Sequence, residues 1–513
     1  MGAYAKGARA MNIVWLSLNP DLQPRGMWDQ TLLEFIFKDA DHHTEIKDFD
    51  EAVVIIPGAY QQHLVNEINA ELSKLKSCKV IITSDEENLF PIDDLNHTDM
   101  VIYATYPNDK YHSDIHWLPI GPARLNQNKV PTKELNWFYS GQVNHESRRK
   151  LVEHLRKFAD GKLIETGGFS QGLPREEYYN EMAKAELAPA PRGVVSTDSF
   201  RLYEAMEVGA IPITEDKPFW DKLFGDYPFL VVEKWDHIFG SEYSKQLANQ
   251  VQAWWQRKKL EIADEFIPQG DVTVIMPTSP IKSHPSTEKI DEVIKSVRYH
   301  MPNARIIVTF DGVRPEQEHL RDDYEEYIRR FLSLHNNENI YPIIMDEYTH
   351  QVGMAREALK HVKTPVIFYA EHDISLYPEP LEWEAGTQAI KEGKLDMLRY
   401  HFEVAIPEVH KHMMIDKRPK NYGVPVIRTF QWSQRPHLAS ADWYRKILTE
   451  NFTENAKCFI EDYLHGSVDE SYKHTKDWNL FRIAIYNPEG SIKRAYHLDG
   501  REGADKYDTI QIR

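Results

Sequence analysis

Apolar residues follow two alternating patterns along most of the chain. Short continuous apolar runs, which are typical of strands buried on both faces, are separated by stretches with the periodicity of amphipathic helices. This alternation predicts an α/β fold with parallel sheets that are covered by helices. In the first part of the chain the predicted helices are 28–37 and 61–75, and the predicted strands are 12–18, 52–56, 80–83, 100–103 and 116–119.

A second series of elements begins near Asn136. Helix 145–158 is predicted to place Leu151 and Leu155 inward and Arg148 and Arg149 outward. The other predicted helices of this series are 175–184 and 241–258, and its predicted strands are 137–140, 163–165, 187–189, 210–213 and 229–232.

A third series begins near Asp271, after a short segment, 265–270, that is predicted to be a hinge. Its first strand is a buried apolar run, and its first helix opens with serine and threonine capping residues. The predicted strands are 271–276, 305–310, 341–345 and 366–370, and the predicted helices are 286–300, 317–334 and 351–362.

Length and composition restrict the class of protein. With 513 residues the chain should hold two or three domains. The formal net charge of -18 argues against broad binding to nucleic acid or anionic lipid, although a local basic groove stays open as an alternative. The sequence contains no long apolar run or signal-peptide pattern, and its two cysteines give no metal spacing or disulfide framework. We therefore expect a soluble cytoplasmic protein without a transmembrane segment.

The stretch 196–214 carries the clearest chemical signal. It places Arg201 and Glu204 on one face of a short helix, near its N-terminus, before Gly209 breaks the helix. An arginine at a helix N-terminus attracts phosphate, and a carboxylate one turn later is suited to accept hydrogen bonds from a sugar diol. The pattern predicts a nucleotide-sugar site, and the alternative is a buried Arg/Glu pair in an ordinary α/β helix.

Residues 136–216 resemble the nucleotide-sugar half of exostosin-like glycosyltransferases of family 47. The motifs that carry the resemblance are F-Y-S-G-Q at 138–142, L-A-P-A-P-R-G at 187–193 and S-x-R-x-x-E-A-x-x-x-G-x-I-P-I at 199–213. The resemblance implies a GT-B fold, in which two facing Rossmann-like domains hold the donor between them. It also implies sugar transfer that is usually inverting and needs no cofactor.

The same resemblance assigns roles to individual residues. Arg201 would meet the donor phosphates, Glu204 would meet the ribose hydroxyls, and the Ser-Gly strand end at 140–141 is a common phosphate-facing turn. Ser196 stands where many retaining GT-B enzymes have the first of two glutamates, which favours the exostosin-like interpretation. The implied donor-binding residues of this half are Ser140, Gly141, Arg192, Ser196, Ser199, Arg201 and Glu204.

Acidic residues follow two predicted strands of the third series. Asp311 follows strand 305–310, and Glu371-His372-Asp373 follows strand 366–370. Because the carboxyl ends of parallel strands face one crevice, Asp311 suits a base or ribose contact and Asp373 suits a divalent cation on a diphosphate. The alternative is that both acids only cap strand ends.

Residues 271–375 resemble family-2 glycosyltransferases with a GT-A fold. The resemblance rests on P-T-S at 277–279, T-F-D-G at 309–312, G-M-A-R-E-A-L at 353–359 and E-H-D at 371–373, in that order. It implies that Mn²⁺ or Mg²⁺ is held by Asp373 and by Glu371, which replaces the usual first aspartate. The donor-binding residues that it implies are Pro277, Thr278, Asp311 and Arg356.

The pair Glu461-Asp462 resembles the acidic pair that supplies the general base in inverting GT-A enzymes. Transfer to a hydroxyl needs a carboxylate to take its proton. Asp462 is therefore the predicted base with Glu461 as its neighbour, and an exposed acidic pair is the alternative. Segment 430–438 is either an acceptor-binding segment or a loop packed on the core, and His474 and His497 are further candidates for phosphate or metal contacts.

The sequence thus predicts a GT-B type pair of Rossmann-like domains followed by a GT-A type domain. The predicted function is transfer of sugars from UDP- or GDP-sugars to a hydroxyl of a glycan, a lipid-linked or a nucleic-acid acceptor, by two active sites. Alternatives are that one module is a non-catalytic scaffold, or that the acceptor is a modified DNA base. The predicted boundaries are a disordered leader at 1–10, an acceptor-side domain at 11–135, a nucleotide-sugar-binding domain at 136–268 and a GT-A-like domain at 269–513.

Overall fold

The chain forms two compact units in a computed structural model. Unit 1 comprises the residues up to 267 together with 332–337, and unit 2 comprises 268–331 together with the residues from 338 onward. The leader predicted at 1–10 lies outside the described residues. The structure describes residues 11–125, 132–168, 171–238, 245–401, 405–488 and 492–498.

Unit 1 begins with a six-stranded sheet. Its strands are β1 (Asn12–Trp15), β2 (Asp41–His43), β3 (Glu51–Pro57), β4 (Ser77–Thr83), β5 (Met100–Ala104) and β6 (Ile115–Trp117). The strands are all parallel, in the order β2-β1-β3-β4-β5-β6. The helices are α1 (Thr31–Ile36) and α2 (Val65–Leu72), with 3₁₀ helices at Trp28–Gln30, Gly58–Gln61 and Ile92–Asp94. The Val- and Ile-rich runs of β3 and β4 are buried, as their apolar pattern predicts.

A second parallel sheet follows in unit 1. Its strands are β7 (Leu135–Gln142), β8 (Gly161–Thr166), β9 (Ala185–Pro189), β10 (Ile211–Thr214) and β11 (Leu230–Val231), in the order β11-β10-β9-β7-β8. Its helices are α3 (Glu146–Leu155), α4 (Arg175–Ala183), α5 (Phe200–Glu207), α6 (Lys217–Phe224) and α7 (Lys245–Phe266), with a 3₁₀ helix at Trp235–His237. Helix α5 ends just before Gly209, whose φ of 69° lies in the left-handed region that favours glycine, so the predicted helix break is confirmed.

One apolar cluster packs both sheets of unit 1 together. Trp15 and Phe37 contribute from the first sheet and its helices, while Leu202 of α5 and Trp255 of α7 contribute from the second half. Each of these side chains is nearly or fully buried. Helix α7, with 22 residues, therefore fixes α5 within the core of this unit.

Unit 2 contains a nine-stranded mixed sheet and a two-stranded ribbon. The strands are β12 (Val272–Thr278), β13 (Arg305–Phe310), β14 (Ile340–Ile344), β15 (Val366–Tyr369), β16 (Ile374–Leu376), β17 (Met397–Arg399), β18 (Lys420–Asn421), β19 (Pro425–Arg428), β20 (His437–Ser440), β21 (Ile483–Tyr486) and β22 (Ala495–His497). The sheet order is β14-β13-β12-β15-β20-β17-β21-β19-β18, and β16 pairs with β22. Strands β12 to β15 are parallel to one another, and β20 joins them in the antiparallel direction.

Six helices accompany the sheet of unit 2. They are α8 (Glu288–His300), α9 (Arg321–Leu334), α10 (His350–Lys360), α11 (Trp383–Lys391), α12 (Ala441–Asn451) and α13 (Ile460–Thr475), with 3₁₀ helices at Pro315–Leu320, Glu408–Met413 and Trp478–Leu480. Within the described ranges, no helix combines the length and apolar character needed to span a bilayer. The fold is mixed α/β, with two parallel Rossmann-like sheets and one mixed sheet.

The strand order creates one topological switch point in the second sheet and one in the mixed sheet. In the second sheet, β7 lies between β8 and β9, so the chain continues first to one side of β7 and then to the other. In the mixed sheet, β12 lies between β13 and β15 in the same way. Such topological switch points leave a crevice at the carboxyl ends of the two central strands, where ligands of α/β proteins bind. The predicted donor-site motifs follow these strands.

Candidate functional site

The switch point of unit 1 lies between the end of β7 and the loop after β9. Ser140 and Gly141 form the end of β7, and Arg192 lies in the loop after β9. The N-terminus of α5 follows that loop, and the side chain of Ser199, which precedes α5, does not cap the helix. A strand end, a loop and a helix N-terminus therefore meet here as anion-binding elements.

Arg201 connects two of these elements. Its Nη2 donates a hydrogen bond of 2.7 Å to the carbonyl oxygen of Ser140, and its guanidinium carbon lies 4.9 Å from the centre of the Tyr139 ring. The Nε atom of Arg201 is buried and has no hydrogen-bond partner among the described residues. Arg201 is therefore held in place while one of its buried donors is left for a ligand.

Gly141 makes room for this arginine. A Cβ atom at position 141 would lie 2.5 Å from Nη2 of Arg201 and 3.1 Å from the hydroxyl of Tyr139. Any side chain at this position would displace the guanidinium group from the strand end. The Ser-Gly turn thus acts through the position of Arg201.

Glu204 lies one turn further along α5 and is 8% exposed. Its Oε2 accepts a hydrogen bond of 2.9 Å from the hydroxyl of Tyr178, and its Oε1 accepts one of 3.3 Å from Tyr179. Burial raises the pKa of Glu204, while the charge of Arg201 and both tyrosines oppose this increase. The two tyrosines of α4 position this carboxylate, and its hydrogen bonds do not come from Arg201.

Arg148 adds a second positive charge. Its Nε and Nη2 donate hydrogen bonds of 3.3 and 3.2 Å to the carbonyl oxygen of Arg192, where Nε2 of His145 also lies at 3.1 Å. Burial lowers the pKa of Arg148, and the positive charge of Arg201 lowers it further. The prediction that Arg148 faces solvent is wrong, because α3 turns this side chain toward the loop after β9. Two mutually repelling cations at one crevice favour an anionic ligand.

The edge of the first sheet also contacts this region within unit 1. Oε1 of Glu86, which follows β4, accepts a hydrogen bond of 3.0 Å from the backbone N–H of Ser196. The backbone N–H of Ile120, after β6, donates a hydrogen bond of 3.1 Å to Oδ2 of Asp198. The Tyr203 hydroxyl donates one of 2.6 Å to Oδ1 of the same carboxylate. Ser196 and its neighbours therefore bridge the two sheets of the unit.

The switch point of unit 2 lies between β12 and β15. Pro277 and Thr278 end β12. The Thr278 hydroxyl lies 3.3 Å from the hydroxyl of Tyr327 on α9, and the carbonyl of Pro277 lies 3.3 Å from Nδ1 of His372. Thr278 is 1% exposed, so its side chain is part of the core.

Asp311 is also buried at this edge. Its Oδ1 accepts hydrogen bonds from the backbone of Gly312 and Thr349 at 2.9 and 2.7 Å, and its Oδ2 accepts one from the backbone of His350 at 3.0 Å. Burial raises the pKa of Asp311, and these hydrogen bonds oppose the increase. In this arrangement Asp311 caps the N-terminus of α10, a structural role that differs from the strand-end cap given as the alternative for this residue.

Asp373 lies close to the C-terminal ribbon. Its Oδ2 lies 3.6 Å from Nε2 of His497, on β22. Glu371 accepts a hydrogen bond of 2.7 Å from Nε2 of Gln351. In the described part of the chain, no group of three or more His, Cys, Asp or Glu side chains is arranged to hold a metal ion. The metal prediction for Asp373 and Glu371 stays a prediction, with His497 now beside Asp373.

The predicted catalytic pair begins α13. Glu461 accepts a hydrogen bond of 2.7 Å from the backbone N–H of Gln434, whereas Asp462 is exposed. Oε1 of Gln351 accepts a hydrogen bond of 2.8 Å from the backbone N–H of Ile460, while Nε2 of Gln351 donates to Glu371. The side chain of Gln351 therefore joins the start of α13 to Glu371. The acidic triplet and the Glu461-Asp462 pair are therefore connected through one buried amide.

Other candidates of unit 2 have structural surroundings. Arg356 donates four hydrogen bonds of 2.7 to 3.0 Å to the carbonyls of Leu448, Phe452, Thr453 and Glu454, at the end of α12. Trp432 and His437 of segment 430–438 are fully buried, so this segment packs on the core, and His474 is exposed on α13. Donor binding by Arg356 stays a prediction, although its Nη1 and Nη2 groups are already hydrogen-bonded.

Several side chains around the unit 1 switch point were not among the residues predicted from the sequence to bind a donor. The signal in the sequence for Tyr178 and Tyr179 is a pair of adjacent tyrosines ahead of the L-A-P-A-P-R-G motif. The signal for Arg148 is its position as the first of three basic residues after F-Y-S-G-Q. No local pattern near Glu86 indicates its contact with Ser196, because the two residues are 110 positions apart in the chain and belong to the two halves of unit 1.

Comparisons with known proteins give one relative in sequence and several similar structures. No protein-family model matches the chain. Ribitol-5-phosphate xylosyltransferase 1 of Mus musculus is 27% identical over 135 residues, which are 23% of this chain and 30% of that protein. The chain thus spans about a third of the length of this curated relative.

Solved structures of S. aureus TarS are among those that are similar to this chain. Residues 1–349 of TarS are 15% identical at a TM-score of 0.29, covering 44% of this chain and 60% of that one. The complex of the same TarS fragment with UDP is 16% identical at a TM-score of 0.27, with the same coverage. The complex with UDP-GlcNAc is 15% identical at 0.28, covering 44% and 58%.

Proposed function

We propose that this chain is a glycosyltransferase that binds the diphosphate of a nucleotide-sugar donor at the switch point of unit 1. The observation that carries the proposal is Arg201, which is fixed by Ser140 and Tyr139, faces a second cation, Arg148, and keeps a buried Nε–H without a partner among the described residues. The partial sequence similarity to a xylosyltransferase supports the same chemistry.

The geometry suits a diphosphate leaving group. As the bond between the anomeric carbon and the diphosphate breaks, negative charge develops on the departing oxygen. Arg201 and Arg148 are already positioned, so they stabilise that charge without reorganisation. Glu204, held by Tyr178 and Tyr179, accepts hydrogen bonds from the ribose hydroxyls. Unit 1 would then act as the GT-B module of exostosin type.

Unit 2 would provide a second, GT-A-like site. Asp373 and His497 offer one carboxylate and one imidazole, and Mn²⁺ or Mg²⁺ commonly takes few protein ligands together with substrate phosphates. When bound, the cation would neutralise the donor diphosphate. Asp462, exposed beside the segment that Gln351 ties to Glu371, would take the proton of the acceptor hydroxyl.

A second candidate role for unit 2 is acceptor binding without catalysis. The specific observation that favours it is the use of Asp311 and Arg356, both implied donor residues, in capping helices α10 and α12. A donor would have to replace these capping bonds or bind without them. Loss of Asp373 would then leave all sugar transfer intact.

The mouse relative suggests the first substrates to test. Its name makes a xylose donor and a phosphorylated polyol acceptor the first choices for this chain. A glycan, a lipid-linked sugar or a modified DNA base are the other acceptors. Binding to duplex DNA that falls steeply with added salt would favour the DNA acceptor.

The proposal is tested by titrating the full chain with UDP-xylose, UDP-GlcNAc and GDP-mannose, in EDTA and in Mn²⁺, while nucleotide release is measured. We expect one donor to bind in EDTA. Glu204→Ala should abolish the activity that persists in EDTA, and Asp373→Ala should abolish a separate, chelator-sensitive activity. Gly141→Ala should weaken donor binding about tenfold or more, because the added Cβ displaces Arg201. Gly466→Ala, where a Cβ meets no atom within 4 Å, is the matched control.

Three kinds of result would contradict the proposal or part of it. If none of the sugar nucleotides binds under either condition, the chain is not a transferase of these donors. If chelation leaves every activity unchanged, or if one substitution silences both, the division of labour between the units is wrong. If Asp373→Ala has no effect on any transfer, unit 2 is an acceptor-binding unit.

A further inference from the structure

We propose that Glu86 is the general base of sugar transfer in unit 1, an inference that rests on the proposed function. Glu86 follows β4, so it lies at the carboxyl edge of the first sheet. The donor site of unit 1 lies at the edge of the second sheet. A base for this site must approach from the side opposite to the diphosphate, because the acceptor hydroxyl attacks the anomeric carbon from that side in an inverting transfer.

Glu86 contacts the donor loop directly. Its Oε1 accepts the hydrogen bond of 3.0 Å from Ser196 and would lie 3.3 Å from a Cβ atom at Gly193. Oε2 makes no hydrogen bond within the described part of the chain, and the side chain is partly exposed. The negative charge of Glu86 also acts on Arg148, where it opposes the effects of burial and of Arg201 on the pKa. One oxygen therefore fixes the carboxylate, and the other is left for an acceptor proton.

Neighbouring carboxylates at the same edge are already used. Ser84 donates hydrogen bonds of 2.5 and 2.7 Å, from its N–H and its hydroxyl, to the two oxygens of Asp29. Oδ1 of Asp85 accepts a hydrogen bond of 2.8 Å from the backbone N–H of Leu89, and its Oδ2 accepts one of 3.0 Å from that of Phe90. Asp198 accepts one hydrogen bond on each oxygen as well. The oxygens of these three carboxylates stabilise loops, whereas Oε2 of Glu86 makes no such bond. Glu215 also accepts only through Oε1, from Ser147 and Arg192, but it follows β10 of the second sheet, on the side of the donor loop.

The backbone around Glu86 is strained in a way that is typical of functional sites. Ser84 and Asn88, on either side of Glu86, have φ values of 54° and 55°, and Tyr106 after β5 has 62°. Such conformations are uncommon for residues other than glycine and asparagine, and they persist where the surrounding structure requires them. The hydrogen bonds to Asp29 and Asp85 hold this loop in a conformation that presents Glu86 to Ser196.

The step balances as a single displacement. The acceptor oxygen uses a lone pair to form the bond to the anomeric carbon, and its proton passes to Oε2 of Glu86. The bond from the anomeric carbon to the diphosphate breaks, and its electron pair leaves with the diphosphate, beside Arg201 and Arg148. The proton on Glu86 is then released to solvent.

Glu86→Gln tests the role because an amide oxygen still accepts the Ser196 hydrogen bond but cannot take a proton at neutral pH. The full chain is assayed in EDTA with the tightest-binding of UDP-xylose, UDP-GlcNAc and GDP-mannose, using water, glycerol and ribitol as acceptors. Nucleotide release that remains in Arg201→Met is subtracted as background. We expect Glu86→Gln to keep the dissociation constant of the donor within about twofold and to lower kcat by about 10²–10⁴-fold.

Glu87→Gln is the matched control, since Glu87 is the exposed neighbour, and it should leave both constants unchanged. The inference is overturned if Glu86→Gln retains transfer within about threefold, or if it loses donor affinity in parallel with rate, which would make Glu86 only a positioning residue. A wild-type chain that binds the donor but releases no nucleotide to any of these acceptors also contradicts it. A wild-type chain that binds no donor instead removes the proposed function itself.

Discussion

At the switch point of unit 1, Arg201 is anchored by the Ser140 carbonyl and by Tyr178, and its buried Nε has no partner in the described chain, with Arg148 beside it. At the switch point of unit 2, Asp311 accepts backbone hydrogen bonds from Gly312 and from the start of α10, and Arg356 donates four hydrogen bonds to carbonyls in the last turn of α12 and just after it. The arginine of unit 1 and the two named residues of unit 2 differ in how much hydrogen-bonding capacity the fold has already used, whereas Nε2 of His372, at the switch point of unit 2, is buried without a hydrogen-bond partner in the described chain, like Nε of Arg201. Unused, buried capacity is one mark of a candidate ligand site, since most buried polar groups are otherwise satisfied.

The largest expected effect comes from removing the support of α5 in unit 1. Lys259 and Glu207 form an ion pair of 2.7 Å with side chains that are 1% and 0% exposed, and Asn336 bonds to both. Lys259→Met leaves the Glu207 carboxylate buried without its cation. We expect the free energy of unfolding of unit 1, measured in urea, to fall by about 3–5 kcal/mol.

Two further variants separate the loss of the buried ion pair from the loss of any lysine of this helix. The double variant Glu207→Gln/Lys259→Met removes both charges and should recover much of the loss. Lys258→Met removes a partly exposed lysine of the same helix and should cost less than about 1 kcal/mol. Equal losses for Lys258→Met and Lys259→Met would show that the buried pair does not support α5.

The next effect tests the structural use of Arg356 in unit 2. Arg356→Met removes the cap of α12 and should lower the free energy of unfolding of unit 2 by about 2 kcal/mol. Donor affinity measured in EDTA should stay unchanged. If this variant instead weakens donor binding while stability is kept, Arg356 belongs to a donor site and the contrast between the two regions is lost.

The third effect is seen only in the pH dependence of unit 1. Burial raises the pKa of Asp198 to about 7, so the folded state holds a proton that the unfolded chain has already released above about pH 4. The Asp198 contribution to stability therefore falls as the pH rises from about 4 to 7. Asp198→Asn cannot titrate and should flatten this part of the profile of unfolding free energy against pH. Asp226→Asn, at an exposed position, should keep the wild-type profile, and identical profiles for all three proteins would contradict the assignment.

Strand and helix positions followed from local patterns, and much less could be said about long-range contacts. The apolar runs predicted the parallel strands from β3 to β15, because buried strands must be continuously apolar. Beyond residue 375 the motifs fade, and strands of two to four residues such as β18 and β20 leave too short a pattern to read.

In the candidate site too, local spacing predicted some residues, whereas the residues that depend on long-range contacts were not predicted. The spacing of Arg201 and Glu204 placed both on α5, and the Ser-Gly turn lies where the guanidinium needs it. Tyr178 and Glu86 were not found, because their contacts with Glu204 and Ser196 join elements that are 26 and 110 residues apart. Sequence also could not tell that Asp311 would cap α10, since a strand-end acid has the same pattern in both roles.

The most direct test of the central claim is calorimetric titration of the full chain with UDP, and with GDP in parallel, in EDTA. Wild type and Arg149→Met, which changes an exposed arginine of α3, should bind one of the two nucleotides with the same affinity. Arg201→Met should bind it at least about tenfold more weakly, because it loses a charge-assisted hydrogen bond to the diphosphate. Equal affinity of Arg201→Met and wild type would contradict the claim that unit 1 holds the donor at Arg201.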